Sequence, residues 1–201
     1  MAELPSIAMG STALGSYGAD PPQLTLGEVT IAGAWNAQGD PARAAFVESV
    51  MGAFGMSLPL SANTTTRAAG STAFWLGPTS WLIVARTQSR TIDFNATRDA
   101  LNIAGGALFD ASSSRVAFSL AGEHASTVLA KGCPLDFHPR AFPDDGCAQS
   151  LLGHIGALFY RRERTQWLLM VPRSYGRDAW RFLCTSAMAY GYEVTGPTPY
   201  Y

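Results

Sequence analysis

Four potential metal ligands fall within one stretch of the sequence, at Cys133, His138, Cys147 and His154. Zinc takes four thiolate or imidazole ligands in a tetrahedral arrangement, and structural zinc sites usually hold them in closely spaced pairs. Here the spacings are Cys-x4-His and Cys-x6-His, which provide no such pair. The sequence therefore favours two buried thiols, one loop histidine and one strand histidine, and we predict no metal site.

Three carboxylates occur in the same stretch and could form an acid and base pair with the histidine. Asp136, Asp144 and Asp145 lie with His138 and Arg140 in a segment that has no regular hydrophobic period. A carboxylate beside a histidine is suited to proton transfer. Because loop residues of these types more often cap turns or form surface contacts, we predict no catalytic residue here.

Two further patterns could indicate chemistry. Ser174 resembles the serine of a nucleophile elbow, but the glycine that this tight turn requires ahead of the serine is absent, and a helix cap is the favoured role. Arg161, Arg162 and Arg164 could hold phosphate groups, yet Glu163 lies among them, and we predict a solvated hairpin tip. The sequence has no phosphate-binding glycine loop of a recognised form, so we predict no cofactor-binding residue.

Trp81 and Trp167 could each be a stacking platform for a flat ligand such as a flavin or a pterin. They belong, however, to an internal repeat with a constant offset of 86 residues. The same offset relates further residues of similar size: Gly70 and Gly156, Phe74 and Tyr160, Leu82 and Leu168, Phe94 and Trp180, Gly105 and Gly191. Both tryptophans begin matched apolar strands, so we predict that they pack in a core formed by a duplicated unit.

The elements that position these residues repeat in the order β-α-β-β-α. The hydrophobic periods and turn residues predict strands at 26–35, 71–76, 81–86, 115–121, 148–162 and 167–171, and helices from Asp40-Pro41 to Gly55 and at 94–104, 122–132 and 178–189. This order predicts an α+β fold of duplicated split-βαβ-like halves, with antiparallel sheets that carry helices on one face. We predict an extended arm over residues 1–25, a first half over 26–105 and a second half over 106–201, packed as one domain.

Composition limits the classes of partner. Of the 201 residues, 47% are hydrophobic and 14% are charged, which is enough to form a core and leaves a surface with few charges, as in a subunit that others partly cover. The net charge of -1 gives no reason to expect nucleic acid. Residues 1–6 lack the basic stretch of an export signal, so we expect none, and no apolar run reaches the roughly 20 residues that span a bilayer. With three cysteines, an odd number, we predict a cytoplasmic protein with free thiols and no membrane contact.

The sequence contains distinctive blocks at Phe74 to Pro78, Asp110 to Ser112, Lys131 to Arg140, Ala141 to Pro143, Gly146 to Gln149 and Leu169 to Ser174. The stretch from Lys131 to Gln149 is long and unusual in composition. Through these blocks the chain resembles the gamma subunit family of heterotetrameric sarcosine oxidase. The resemblance covers roughly residues 70 to 190. It implies a fold similar to the folate-binding domain of the glycine-cleavage aminomethyltransferase.

The resemblance also implies a function. The family's complex, with alpha, beta, gamma and delta subunits, oxidatively demethylates sarcosine or a related N-methyl amino acid and passes the one-carbon unit to tetrahydrofolate. FAD, FMN, NAD, tetrahydrofolate and zinc are expected on the partner subunits, and gamma is a supporting subunit without catalytic residues.

We predict that His138, Pro139, Arg140 and Phe142 contact partner subunits, with the alpha subunit in direct contact, because arginine and aromatic residues commonly carry interface energy. A rival interpretation is a stand-alone folate-binding or aminomethyltransferase-like protein that uses Asp110, Asp136 or Asp144 as its acidic group.

Overall fold

The computed structural model describes residues 12–68, 70–85 and 92–200. In chain order its strands are β1 (Gly15–Tyr17), β2 (Leu24–Thr30), β3 (Gly33–Gln38), β4 (Thr65–Ala68), β5 (Ser71–Gly77), β6 (Ser80–Ala85), β7 (Ala107–Asp110), β8 (Arg115–Ala121), β9 (Cys147–Leu152), β10 (Ile155–Glu163), β11 (Gln166–Pro172) and β12 (Tyr192–Pro199). Its α-helices are α1 (Ala44–Phe54), α2 (Phe94–Ile103), α3 (Ala125–Ala130) and α4 (Gly176–Ala187). None of the helices in the described ranges is both long enough and apolar enough to cross a membrane.

The chain divides into two compact units. The larger unit combines the residues up to Thr30 with Ser114–Thr198, and the smaller unit is formed by Ile31–Ser113 and the residues from Pro199. The smaller unit is therefore inserted, in sequence, between the N-terminal strands of the larger unit and the rest of it. The predicted packing of two halves as one domain stays a prediction.

The larger unit contains a seven-stranded sheet in the order β1-β12-β2-β8-β11-β10-β9. Helix α4 contacts β8 and β11, and α3 contacts α4 and β11. Alternate residues of the strands face these helices, as the two-residue period of a strand requires. The resulting core includes Phe118, Phe159, Trp167, Leu169 and Trp180, each at most 2% exposed.

The smaller unit contains a five-stranded sheet in the order β4-β5-β6-β3-β7, and α1 and α2 contact each other beside it. Its core includes Phe46, Trp81, Ile83 and Leu101. The indole of Trp81 is fully buried and donates a hydrogen bond of 2.7 Å to the carbonyl of Pro59, which satisfies its one polar atom. Trp81 is thus a core residue, as predicted.

The residues paired by the repeat occupy equivalent positions in the two sheets. Phe74 lies opposite Leu82 in the smaller sheet, and their partners in the repeat, Tyr160 and Leu168, lie opposite each other in the larger one. A bulge interrupts both hairpins at equivalent places, between residues 75 and 77 and between residues 161 and 163. The α+β class, the antiparallel sheets and the duplication are confirmed.

The predicted strand from Leu26 to Trp35 is wrong in its extent, because the chain leaves strand geometry at Ile31 and Ala32. Strand β2 pairs with β8 in the larger sheet, whereas β3 pairs with β6 and β7 in the smaller one. Residues 24–30 therefore belong to the unit that contains most of the predicted second half. The predicted strand 148–162 is likewise two strands, separated by a turn at Gly153 (φ 62°), a left-handed conformation that glycine adopts without strain.

Part of the predicted arm is ordered on the larger unit. Strand β1 pairs with β12, and the Tyr17 ring stacks on Tyr192 with centroids 5.4 Å apart. The backbone amide of Ala19 donates to the carbonyl of Met188 at 3.1 Å. Residues 1–11 lie outside the described residues, as does Arg86 at the end of the predicted strand 81–86.

Helix ends follow local chemistry. Helix α1 begins at Ala44 rather than at Asp40-Pro41, since the Asp40 carboxylate accepts the backbone amide of Ala42 at 2.9 Å and caps a preceding turn instead. Gly55, with φ 64°, ends α1 as predicted. Helix α4 begins at Gly176 and continues as a short 3-10 turn to Tyr190.

Candidate functional site

The segment in which the sequence predicted partner contacts connects α3 to β9 and contains no helix or strand. We call residues 133–146 the connecting segment. Two of its side chains, Phe137 (6% exposed) and Phe142 (5% exposed), are buried in the core of the larger unit. Their rings stack with centroids 6.0 Å apart, and both meet Trp167 edge-on, at 5.1 and 5.0 Å. An irregular backbone is thereby fixed to a rigid sheet.

Hydrogen bonds within the segment fix the turn between these two rings. The Asp136 carboxylate accepts the backbone amide of His138 at 2.8 Å, and the His138 carbonyl accepts the amides of Ala141 and Phe142, both at 2.9 Å. The Nδ1 atom of His138 accepts the amide of Arg140 at 3.2 Å. Asp136 and His138 therefore shape a turn, the role that the sequence favoured over an acid and base pair.

A buried arginine on β10 holds the end of the connecting segment. Arg161 is 3% exposed, and its Nη1 donates to the carbonyl of Phe142 at 2.6 Å while its Nη2 donates to that of Arg164 at 3.0 Å. Its Nε lies 3.0 Å from Oδ1 of Asp144, close enough for an ion pair although not aligned for a hydrogen bond. The guanidinium also lies over the Trp167 ring, 5.5 Å from its centroid.

The backbone and a tyrosine add to this attachment. The Asp145 amide donates to the Arg161 carbonyl at 2.7 Å, and the Arg161 amide donates to the Gly146 carbonyl at 3.0 Å. The buried Tyr160 hydroxyl donates to Oδ1 of Asp145 at 2.8 Å. Asp145 has a left-handed backbone (φ 60°), which an aspartate tolerates better than most residues. The connecting segment is thus bound to β10 at consecutive positions.

The prediction of a solvated arginine cluster at this hairpin is wrong for Arg161. The strand alternation contains the signal that would have found it, because Ile155, Ala157 and Phe159 all belong to the core and Arg161 is the next residue on the same face. Arg164, at the turn itself, is exposed as predicted.

Of the four residues predicted to contact partners, His138, Pro139 and Arg140 are exposed at the surface of the connecting segment. Phe142 is buried within its own chain, so its contribution there is to packing. Phe137, which no sequence pattern distinguished, is buried beside it and stacks on its ring. Contact between the three exposed residues and a partner stays a prediction.

The structure does not bring the remaining candidates together. Cys133 and Cys147 are free and buried, and His154 is exposed in the turn between β9 and β10. Within residues 12–68, 70–85 and 92–200, no group of three or more His, Cys, Asp or Glu side chains could hold a metal ion. Ser174 is exposed in a 3-10 turn ahead of α4 and forms no side-chain cap, so the predicted cap is wrong. Trp167 is buried, as predicted.

The three carboxylates that a folate-binding protein could use each have a partner within their own unit. Asp110 accepts the amide of Ser112 at 2.9 Å, in a turn that follows β7. Asp136 accepts the amide of His138, and Asp144 lies beside Arg161. Each carboxylate thus has a structural role.

The two groups whose pKa values are raised belong to α4 and β12. Burial raises the pKa of the Tyr192 phenol far above its ordinary value, and the hydrogen bond with Cys184 raises it further. Burial also raises the pKa of the Cys184 thiol, against the opposing effect of that hydrogen bond. Both groups are therefore held in their neutral forms.

Comparison with solved structures identifies the fold. The chain is similar to a chain of the heterotetrameric sarcosine oxidase from Corynebacterium sp. U-96, solved in complex with pyrrole 2-carboxylate, with a TM-score of 0.73 and 25% identity over 87% of this chain and 88% of that one. It is also similar to the glycine cleavage system aminomethyltransferase T from Bartonella henselae, with a TM-score of 0.64 and 15% identity over 88% of this chain and 48% of that one. The second likeness shows the fold alone.

Sequence comparison identifies the family. The chain is 34% identical over 124 residues to sarcosine oxidase subunit gamma of Arthrobacter sp. and 30% identical over 124 residues to that of Corynebacterium sp. strain U-96. Each match covers 61% of this chain and 60% of the relative. The family described as "Sarcosine oxidase, gamma subunit family" matches residues 38–189, which include the hairpins β5–β6 and β10–β11 and the whole connecting segment. The chain belongs to the sarcosine oxidase gamma subunit family.

Proposed function

We propose that this chain is the non-catalytic gamma subunit of a heterotetrameric sarcosine oxidase-type flavoenzyme with alpha, beta, gamma and delta subunits. The complex would oxidatively demethylate sarcosine or a related N-methyl amino acid and transfer the one-carbon unit to tetrahydrofolate. The observation that carries this proposal is the family match over residues 38–189, together with the likeness to a chain of a heterotetrameric sarcosine oxidase.

The division of labour in this proposal assigns the chemistry to the partners, which would hold FAD, FMN, NAD, tetrahydrofolate and zinc. It is supported by the roles of the reactive side chains in this chain. Asp136 and His138 shape a turn, and Asp144 pairs with a buried arginine. A supporting subunit contributes surface and rigidity, and the aromatic core beneath the connecting segment supplies rigidity.

The proposed contact with the alpha subunit is formed by His138, Pro139 and Arg140. Their exposure on a fixed turn supports this, since a surface that is already ordered loses little conformational entropy on binding. A cytoplasmic location is supported by the three free cysteines, which an oxidising compartment would tend to pair.

The test is purification of the tagged chain from its native host, with identification of the proteins that accompany it. We expect stoichiometric recovery of large flavin-containing subunits, visible by their absorption. If the chain is recovered alone, and titration calorimetry then gives micromolar binding of tetrahydrofolate, the rival folate-binding function replaces this one.

A further inference from the structure

We propose that the exposed turn at residues 138–141 is a preformed docking surface whose Arg140 pairs with a carboxylate of a partner subunit, and that buried Arg161 is the residue that positions it. This inference rests on the proposed function, because it requires a partner subunit. It adds the chemistry of the contact and a positioning residue that does not touch the partner.

The first argument is that the turn is ordered before any partner binds. Its two flanking rings, Phe137 and Phe142, are buried, and the backbone amides of Arg140, Ala141 and Phe142 donate hydrogen bonds to atoms of His138. Binding through such a surface avoids the entropy cost of ordering a loop, which otherwise reduces affinity. The side chain of Arg140 therefore projects from a backbone of defined shape.

The second argument comes from the duplication. The repeat position of Arg161 in the smaller unit is Trp75, which lies opposite Trp81 just as Arg161 lies opposite Trp167. In the smaller unit a shorter connection, residues 55–64, joins α1 to β4. The unit with the longer connection is thus also the unit that has an arginine at this repeat position, and its guanidinium contacts the Phe142 carbonyl and Asp144. Because guanidinium can form several directed hydrogen bonds at once, a single buried residue can hold a long irregular segment.

The third argument concerns charge. Arg140 is exposed, and its guanidinium forms no ion pair with any residue that the structure describes. The acidic residues of the same segment are occupied elsewhere, Asp136 by the His138 amide, Asp144 by Arg161 and Asp145 by Tyr160. A carboxylate from a partner subunit is the group that guanidinium binds most specifically, through two parallel hydrogen bonds.

The experiment co-expresses the tagged full-length chain with the other subunits and measures dissociation of the purified complex on dilution by mass photometry. Arg140→Gln removes the charge at the surface, and Arg161→Met removes the attachment below it. Arg164→Met is the matched control, since Arg164 lies in the same hairpin, is exposed, and contributes only its backbone carbonyl to Arg161. Circular dichroism and thermal melting establish that each variant is folded.

We expect Arg140→Gln and Arg161→Met each to raise the protein concentration at which half of the complex dissociates by about tenfold or more, the effect typical of a central interface arginine. Arg164→Met should leave that concentration unchanged. The double variant should be no more than about threefold weaker than Arg161→Met alone, because residues that act through one another are not additive. If Arg161→Met does not fold, Arg161→Lys, which keeps the charge but not the fork of donors, takes its place in the same comparison.

Two results would overturn the inference: a complex as tight as wild type with either single substitution, or a double variant weaker by the full product of the two factors. These are distinct from failure of the proposed function, in which the wild-type chain itself would not co-purify with flavin subunits.

Discussion

Substitution of Phe142 by alanine should lower the stability of this chain substantially, although the residue lies in a segment that resembles a surface loop in sequence. Its ring is 5% exposed and contacts two aromatic rings, with centroids 5.0 and 6.0 Å away. Removal of a buried phenylalanine ring costs about 3–5 kcal/mol, and the Phe142 backbone would still be held by Arg161. We therefore expect a loss of about 3 kcal/mol, at the lower end of that range.

For a chain of this length, that loss corresponds to a melting temperature lower by about 6–12 °C. Phe109→Ala is the matched control, since Phe109 is 53% exposed in β7 and should cost about 1 kcal/mol or less. Thermal melting followed by near-ultraviolet circular dichroism suits the comparison, because it reports aromatic packing. Equal decreases in melting temperature for the two variants would show that the Phe142 ring does not pack in the core and is instead a surface residue.

Three further predictions follow from local geometry. Gly191→Ala should destabilise the chain by about 1–3 kcal/mol in denaturant titration, because φ is 65° and the added Cβ would collide with the carbonyl of Ala19, whereas Gly196→Ala, with open space, should be nearly neutral. Since folding raises the pKa of Tyr192, its contribution to stability is complete below pH 10 and is lost above that pH, so Tyr192→Phe should flatten the alkaline decline in melting temperature. Thiol titration at pH 8 should show slow reaction of all three cysteines in the native chain and rapid reaction in guanidinium, because two are buried and burial raises the pKa of the third, Cys184. An alkaline decline in melting temperature that Tyr192→Phe leaves unchanged would contradict the second prediction. A thiol that reacts rapidly in the native chain would contradict the third.

The repeat made much of the fold predictable from the sequence. Residues of like size at a constant offset fixed which strands form equivalent hairpins, and the matched pairs Phe74 with Leu82 and Tyr160 with Leu168 follow from it. The boundary between β2 and β3 was not predictable, because Ile31 and Ala32 are apolar like the strand residues before them, and the glycine that follows, Gly33, already belongs to β3. Which sheet a strand joins depends on tertiary pairing, which local patterns do not encode.

The connecting segment shows a different limit. Aromatic side chains are enriched both at interfaces and in cores, and arginine is enriched at interfaces, so composition alone did not separate buried Phe142 from exposed Arg140. The burial of Arg161 depends on carbonyls from residues 142 and 164, and a charged residue without visible partners is expected at the surface. Those acceptors become visible only when the connecting segment and the hairpin turn are placed beside Arg161 in three dimensions.

Strand β2 has a consequence for how the chain is made. It is synthesised before its partner β8, which follows about ninety residues later, roughly 5–20 s at ordinary translation rates. During that interval the smaller unit, which is contiguous in sequence from Ile31 to Ser113, can complete its own sheet. Leu24, Leu26 and Val29 meanwhile remain without their native cover. During that interval the nascent chain carries an exposed apolar strand, and a chaperone that shields apolar segments would have its target there.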